Sequence, residues 1–375
     1  MEESRPTKAA TRDYRPFSRD PWTLWDTLFA RRSHRKYVPS EMEPATAAGL
    51  DALLDLSCEA RGVKRDTVIA VTDAGAVDAL KKRANKGIAG KINIWMSRAP
   101  LTGLLVMNLP SGDVHALRPV ELPGAAIVVE DAVLWLTERG LGTCWLAGIS
   151  EREIIAEQGL ARERAVPAVI SIGKPALEAP RTTSYGGISY QMMSRRRKPL
   201  SRIACVEKAS APYTLARLET EEFSAVEGGV ERLLELMRDK KACGAGVSAP
   251  IDLAVEACLE SARVAPSGNN AQRWQFIVSR DSARRGQLAG LCAADGEGWK
   301  AAFVCCGSGG KLEKILMDKP FWALDVPIAM SHISLMAASM GYEPRVLIDG
   351  IDEPAIAGFV DLASGTRVLG VIALC

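Results

Sequence analysis

Histidine is scarce in this chain, and the cysteines show none of the spacings that bind metals. There are three histidines, His34, His115 and His332, and they are widely separated in the sequence. The nine cysteines form no C-x-x-C pair, and the adjacent Cys305 and Cys306 suit neither a structural zinc site nor an ordinary disulfide. We therefore expect no metal site, and we expect reduced thiols as in a cytosol.

The chain also lacks a large charge, a long uninterrupted apolar run and an apolar leader. A formal net charge of +2 gives no electrostatic reason to expect nucleic acid as the main partner. The most apolar stretch, Phe321–Tyr342, is interrupted by Asp325, Pro327 and His332, which favours a buried core helix over a membrane span. Residues 1–20 form a polar tail without the apolar region of a secretory signal. These absences favour a cytoplasmic protein.

What the chain does contain is a repeated order of predicted elements. A chain of 375 residues is longer than one core usually supports, so two domains are expected. Two long apolar helix patterns each end in a glycine, and Ile127 and Gly140 are separated from Ile328 and Gly341 by the same number of residues. Neighbouring helices and strands pair in the same order. We predict two tandem copies of one α+β domain; two unrelated α/β domains are the alternative. The predicted parts are a polar tail (1–20), a first copy (21–200), a linker (201–227) and a second, partly degenerate copy (228–375).

Two basic clusters are candidates for binding a phosphate. Arg31–Tyr37, RRSHRKY, follows an apolar helical segment and offers three arginines and a serine hydroxyl. Arginine provides planar, bidentate donors that match phosphate, and serine adds a further donor. The second cluster is Arg195–Leu200, RRRKPL, which follows a predicted strand. Such clusters are more often solvated faces or basic linkers, so neither identifies a site alone.

Two further motifs suit a planar, polar ligand. In Ala265–Trp274, APSGNNAQRW, the residue types predict a tight loop between a helix and a strand. The amides of Asn270 and Gln272 can donate and accept hydrogen bonds, whereas Trp274 is expected to pack in the core. The alternative is an ordinary polar turn. In Gly140–Gly148, GLGTCWLAG, the glycines would let the backbone approach a flat ligand closely.

Together, these four motifs resemble those of the FMN-dependent nitroreductase family. That family has an R-R-S-x-R-x-[FY] segment, a P-S-x-x-N-x-Q-P-W loop, a G-L-G-x-x-W-x-x-G run and a final basic R-K-P segment. The resemblance extends from Trp22 to the end of the chain. It implies a nitroreductase-like three-layer α/β/α fold. Family members are homodimers with two FMN sites, each built from both subunits, so the two copies here would form an intrachain pseudo-dimer.

The two copies keep different motifs. The first keeps the R-R-S, G-L-G and R-K-P segments but has only CEARGVKRDT in place of the loop. The second keeps the loop, but its opening segment is Met237–Lys241, with Asp239 where a serine would meet phosphate, and it ends at Cys375 before any basic tail. Because all the losses fall on the same site, the resemblance predicts one complete FMN site and one degenerate site.

The resemblance also implies roles at the complete site. A basic group would hold the phosphate, one cation would lie near the flavin N1–O2 edge, and backbone would face N5. Arg273 replaces the proline of the loop, and Lys91 and Asn93 match the family's polar contacts only loosely. The residues so assigned are Arg31, Arg32, Ser33, Arg197 and Lys198 at the phosphate, Arg35 at the N1–O2 edge, Ala147 and Gly148 at N5, and Pro266, Ser267, Gly268, Asn270 and Gln272 in the loop.

The implied function is an FMN-dependent oxidoreductase. NADH or NADPH would reduce the flavin, and an unidentified small acceptor would reoxidise it. A flavin destructase-like enzyme and a non-catalytic protein that binds or senses FMN are the alternatives. No residue is assigned as a proton donor, so the catalytic residues stay unknown. A monomer is expected because the interface closes within the chain, with a secondary dimer through another surface as the alternative.

Overall fold

The computed structural model describes residues 23–86, 91–110, 121–176, 197–214, 225–242, 248–309 and 320–375. Arg195 and Arg196 of the second basic cluster lie outside these ranges, as does His115. Helices and strands are numbered separately along the chain. Helices α1 to α10 are Thr23–Ala30, Pro44–Arg61, Ala74–Ala84, Glu121–Glu138, Glu151–Glu157, Val230–Arg238, Ile251–Val264, Ser282–Leu291, Trp322–Ser339 and Glu353–Phe359. Strands β1 to β10 are Tyr37–Val38, Val68–Val71, Gly103–Met107, Gly142–Leu146, Val169–Pro175, Ala204–Val206, Trp274–Ser279, Ala301–Ser308, Pro344–Leu347 and Thr366–Leu374.

Four strands of each β-sheet pair in the same order. In the first, β3 pairs with β2 and β5, and β5 also pairs with β4, all antiparallel. In the second, β8 pairs with β7 and β10, and β10 also pairs with β9, again all antiparallel. The remaining strands are β1, which pairs with β5, and β6, which runs parallel to β7. The predicted repeat in the order of elements is therefore present. Strand β6 lies within the stretch predicted as a linker.

Each sheet lies between two layers of helices because side chains on its strands alternate between faces. In β3, Leu105 and Met107 pack with α2 and α4, whereas Leu104 and Val106 pack with α3 and α5. Strand β8 alternates in the same way between α7 and α9 on one face and α8 and α10 on the other. This is the predicted three-layer α/β/α arrangement, present in both halves.

The helices between the sheets form one continuous core. Helix α4 of the first half packs on α9 of the second, and α2, α4, α7 and α9 belong to one cluster of buried residues. Helix α1 crosses to contact α7 and α9, and α6 crosses to contact α2 and α4. Every residue of α9, from Trp322 to Ser339, is buried, which confirms the prediction of a core helix. Within the described ranges, no helix is both long and apolar enough to cross a bilayer.

The two glycines that end the long apolar helices have the backbone conformation that the sequence predicts. Gly140 follows α4 with a φ of 72°, and Gly341 follows α9 with a φ of 82°. Residues with side chains rarely adopt this left-handed conformation, which closes a helix and turns the chain. In both halves the turn leads directly into the next strand, β4 or β9.

A hydrogen-bond network around a buried ion pair also joins the two halves in the central layer. Arg61 of α2 donates to Asp131 of α4 from Nε and from Nη2, at 3.0 Å each, and the two side chains are 2% and 0% exposed. Ser57 and Ser331 donate to the same carboxylate at 2.8 and 2.6 Å. The remaining Arg61 nitrogen, Nη1, donates to Ser334 at 2.7 Å. Because Ser331 and Ser334 lie on α9, the network spans the interface.

We expect Arg61→Met to lower the free energy of unfolding by about 3–5 kcal/mol, because it leaves the Asp131 carboxylate buried without its counter-ion. The matched control is Arg65→Met. Arg65 pairs with Asp51 and Asp55 at the surface, where such pairs contribute roughly 0–1 kcal/mol. Chemical denaturation of both variants and the wild type measures the difference. Equal, small losses would show that the central ion pair contributes no more than a surface pair.

Candidate cofactor site

The basic segment that follows α1 lies along β4. Ser33 forms a β-bridge with Thr143, and the His34 backbone N–H donates to the Thr143 carbonyl at 2.8 Å. A Cβ at Gly142 would lie 2.8 Å from Cγ of the His34 ring, so this close approach requires glycine. The R-R-S and G-L-G motifs of the first half are therefore neighbours.

Three residues of the basic segment lie close to the Cys144 thiol on β4. Burial raises the pKa of Cys144, while the nearby charges of Arg35 and Arg31 and a hydrogen bond with Ser33 lower it. All three lie close enough to affect a side chain in the middle of β4. Arg35 is partly buried, whereas Ser33 is exposed.

Arg31 is a buried guanidinium with an unused donor. Its side chain is only 5% exposed, and no acceptor among the described residues lies within hydrogen-bonding distance of Nε. Burial lowers its pKa, although the nearby Glu130 carboxylate opposes that effect. A buried donor without a partner costs stability, so this atom suits an acceptor from a bound anion.

Arg197 reaches the same place from the end of the first half. Its Nη1 and Nη2 donate to the carbonyl oxygens of Ala265 and Val264, at 2.6 and 3.0 Å. These carbonyls end α7 of the second half and lead into the predicted loop. The side chain expected to contact phosphate therefore also fixes the start of the loop.

Four arginines form a positive cluster around this contact. Burial, together with the charges of Arg31, Arg263 and Arg32, lowers the pKa of Arg197 to about 9. The sequence alone did not point to Arg263, which donates from Nε to Glu260 at 2.7 Å. Its only sequence signal is a position just ahead of the loop motif. The cluster brings together arginines that are far apart in the chain. The positive charge concentrated in this way attracts an anion.

Lys198 joins the first half to the middle of the loop. Its backbone N–H donates to Oε1 of Gln272 at 2.8 Å, and its Nζ donates to the Gln272 carbonyl at 2.6 Å. Burial lowers the pKa of Lys198, as do the charges of Arg273 and Arg202. The Gln272 side chain is thus engaged within the chain.

The loop has an unusual backbone. Asn269, Asn270 and Gln272 have φ values of 51°, 54° and 49°, in the left-handed region where asparagine is favoured among residues with side chains. Pro266 is buried at its start. Trp274 is buried in the core at its end, as predicted.

Hydrogen bonds hold this backbone in place. The Gln272 N–H donates to Oγ of Ser267 at 3.1 Å, and its Nε2 donates to the Asn270 carbonyl at 3.2 Å. The Gly268 N–H donates to Oδ1 of Asp325, in the first turn of α9, at 2.8 Å. The loop is therefore anchored on the central helical layer.

The far end of β4 meets a 3₁₀ helix, Lys91–Arg98. Nδ2 of Asn93 donates to the Gly148 carbonyl at 2.9 Å, and Gly148 is buried beside the half-buried Ala147. The segment that the resemblance matched only loosely thus lies against the backbone expected to face N5.

The residues of the second half that were aligned with this segment are arranged differently. Arg238, at the end of α6, has a side chain that is 40% exposed. It donates to Asp239 at 2.9 Å and lies 3.8 Å from a Glu59 oxygen. The hydrogen bond with Asp239 raises the pKa of Arg238, opposite to the change at Arg31. A carboxylate occupies the position of the serine and already pairs with the arginine.

Comparison with known proteins supports the resemblance in part of the chain. The family model described as putative TM nitroreductase matches residues 127–218. The chain resembles the nitroreductase family. The matched residues run from α4 through β6 and include the G-L-G motif, Arg197 and Lys198. No curated protein matches the chain.

Solved structures of nitroreductases are also similar to this nitroreductase-like chain. An FMN-dependent nitroreductase from Clostridium difficile R20291 is 23% identical over 44% of this chain and 92% of that one, with a TM-score of 0.32. A putative nitroreductase from Thermotoga maritima is 14% identical over 96% and 97% of the two chains, with a TM-score of 0.43. An NADPH:FMN oxidoreductase from Vibrio harveyi, complexed with NAD+, is 17% identical over 43% and 74%, with a TM-score of 0.33.

Proposed function

We propose that this nitroreductase-like chain is an FMN-dependent oxidoreductase with one cofactor site, built from both halves. The observation that carries the proposal is the buried Arg31, whose Nε has no acceptor among the described residues. It lies in an arginine cluster that borders the loop of the second half. A phosphate monoester would supply both the missing acceptor and the compensating negative charge.

The described residues fit the parts of FMN in the order that the resemblance implies. Arg31, Arg32 and Ser33 would hold the phosphate. Arg197 donates at the start of the loop and Lys198 donates to Gln272, so the two would fix residues 266–272 beside the phosphate. The loop backbone, held in place by the Gln272 side chain, would then meet the polar parts of the cofactor.

When bound, FMN supplies redox chemistry between a nicotinamide nucleotide and a small acceptor. The protein's part is to place the ring and to adjust the charge around it. Arg35 would stabilise negative charge at the N1–O2 edge of the ring, and the backbone at Ala147 and Gly148 would orient N5. Asn93, bonded to the Gly148 carbonyl, would keep that backbone in position.

A visible spectrum of the purified protein, followed by addition of NADH or NADPH without air, tests the function. Flavin absorbance that bleaches on addition of nucleotide is the expected result. Slow loss of the flavin spectrum in air would favour the destructase-like activity. A stable spectrum that neither nucleotide changes would favour a binding or sensing protein.

We also expect one FMN per chain and a monomer. The α4 and α9 surfaces are already buried against each other, and Asp239 opposes phosphate at the second site. Light scattering combined with flavin absorbance at a known protein concentration measures both quantities. Two FMN per chain would show that the second site still accepts phosphate.

A further inference from the structure

A second buried polar group interacts with Arg31, and its pairing was not predicted from the sequence. Glu130 on α4 and His332 on α9 are fully buried, with 2.9 Å between Oε1 of Glu130 and Nε2 of His332. The other ring nitrogen of His332, Nδ1, lies 3.0 Å from the Ser261 carbonyl of α7. Nε1 of Trp145, on β4, donates to Oε2 of Glu130 at 2.7 Å.

These contacts fix how many protons the pair holds. A carbonyl oxygen only accepts, so Nδ1 of His332 must carry a hydrogen. Hydrogen bonding between Nε2 and Oε1 then needs one further proton, held by either atom. The pair is a carboxylate with an imidazolium, or a carboxylic acid with a neutral imidazole. Its net charge is zero in both cases, and loss of the shared proton would leave two lone pairs facing each other.

Charged groups also lie on the elements that surround the pair. Asp131, next to Glu130 on α4, is paired with Arg61. On α7, Glu260 is paired with Arg263. Arg31, just after α1, interacts electrostatically with Glu130, and Arg31 is the residue proposed to bind phosphate.

The pair contacts two parts of the proposed cofactor site. Through Trp145 it holds β4 just before Ala147, where the backbone is expected to face N5. Through Glu130 it sets the charge beside Arg31. One member comes from each half of the chain, so the second half contributes more than its loop.

We propose that Glu130 and His332 are a positioning pair for the cofactor site. Their shared proton keeps Glu130 in place as the acceptor for Trp145 while adding no net negative charge beside Arg31. This inference rests on the proposed FMN site. Neither residue contacts the cofactor, and both act through Trp145 and Arg31.

The first test is His332→Gln, measured as FMN affinity near neutral pH. The glutamine can donate to Glu130 but brings no proton to share, so the carboxylate keeps its charge. We expect FMN to bind about tenfold more weakly than to the wild type, because a buried negative charge near the phosphate repels it. An affinity equal to that of the wild type would contradict the proposal.

The matched variant is Glu130→Gln/His332→Gln, which removes the charge and keeps a pair of hydrogen-bonding amides. If the charge matters, FMN affinity should return to within about threefold of the wild type. A double variant that binds FMN no better than His332→Gln would show that the histidine matters only for packing.

A second measurement does not depend on FMN. Nitrogen-15 NMR of the histidine rings is tractable because the chain has three histidines, and the His332→Gln spectrum identifies the signals of His332. In the wild-type protein, with or without FMN, we expect a hydrogen on Nδ1, because it faces the Ser261 carbonyl, and a proton shared between Nε2 and Glu130. A ring that lacks either of these hydrogens would overturn the shared proton. If no FMN binds under any condition, the proposed function fails while the spectrum still decides whether the pair exists.

Discussion

Arg31→Ala is expected to weaken FMN binding by roughly 10- to 100-fold, and Arg238→Ala is expected to leave it unchanged. A charged hydrogen bond to phosphate contributes about 1.5–3 kcal/mol, which corresponds to this range. Arg31 is buried with an unused donor, whereas Arg238 is exposed and already bonded to Asp239. Arg31 directly follows α1 and Arg238 is the last residue of α6, so the two arginines form a matched pair.

Fluorescence titration of FMN into the apoproteins measures the two affinities. Arg35→Ala should also weaken binding more than Arg238→Ala, although Arg35 is assigned to the ring. Thermal unfolding without FMN controls for damage to the fold. In that measurement Arg31→Ala should be as stable as the wild type, because no hydrogen bond at Nε offsets the cost of burying the Arg31 guanidinium. Equal losses of affinity in all three variants would mean that the wrong site is taken as complete.

Neither half expressed alone should retain FMN, whereas the two halves expressed together should recover it. Separating the chain between residues 214 and 225 leaves each fragment with one exposed side of the central helical layer. The first fragment would keep Arg31 and Arg197 but lose the loop that Arg197 and Lys198 hold. The second would keep the loop without the arginines.

The measurement is the ratio of flavin to protein after purification through a tag on one fragment. Co-purification of both fragments with about one flavin per pair is the expected result. A first fragment that retains a stoichiometric amount of flavin by itself would refute a site built from both halves.

The elements whose signal is local could be predicted from the sequence. Gly140 and Gly341 end their helices with positive φ, and Phe321–Tyr342 contains the predicted buried helix despite Pro327. The alternating apolar residues of β3 and β8 are also a local pattern. Such features depend on the residues next to them, so the repeated order of elements and the layered fold could be inferred without coordinates.

The contacts between distant residues could not be predicted in this way. His332 stood out only as a break in an apolar run, because its partner Glu130 lies on another helix. Strand β6 is three residues long and forms by pairing with β7, so its own sequence carries little signal. Arg263 was missed for the same reason. These residues acquire their roles only when the two halves meet.

In the central helical layer of this chain, contacts between the two halves are not required to be identical, as they are in a symmetric dimer. In a two-fold interface every contact between subunits occurs twice, so a substitution that alters one site alters the other. In the α4–α9 interface, the two contacts that a two-fold axis would make identical are different: one is the Glu130–His332 pair and the other is the Asp131–Ser331 pair. Each contact is encoded once and can change independently. One side of the interface can therefore specialise in ligand chemistry while the other specialises in stability.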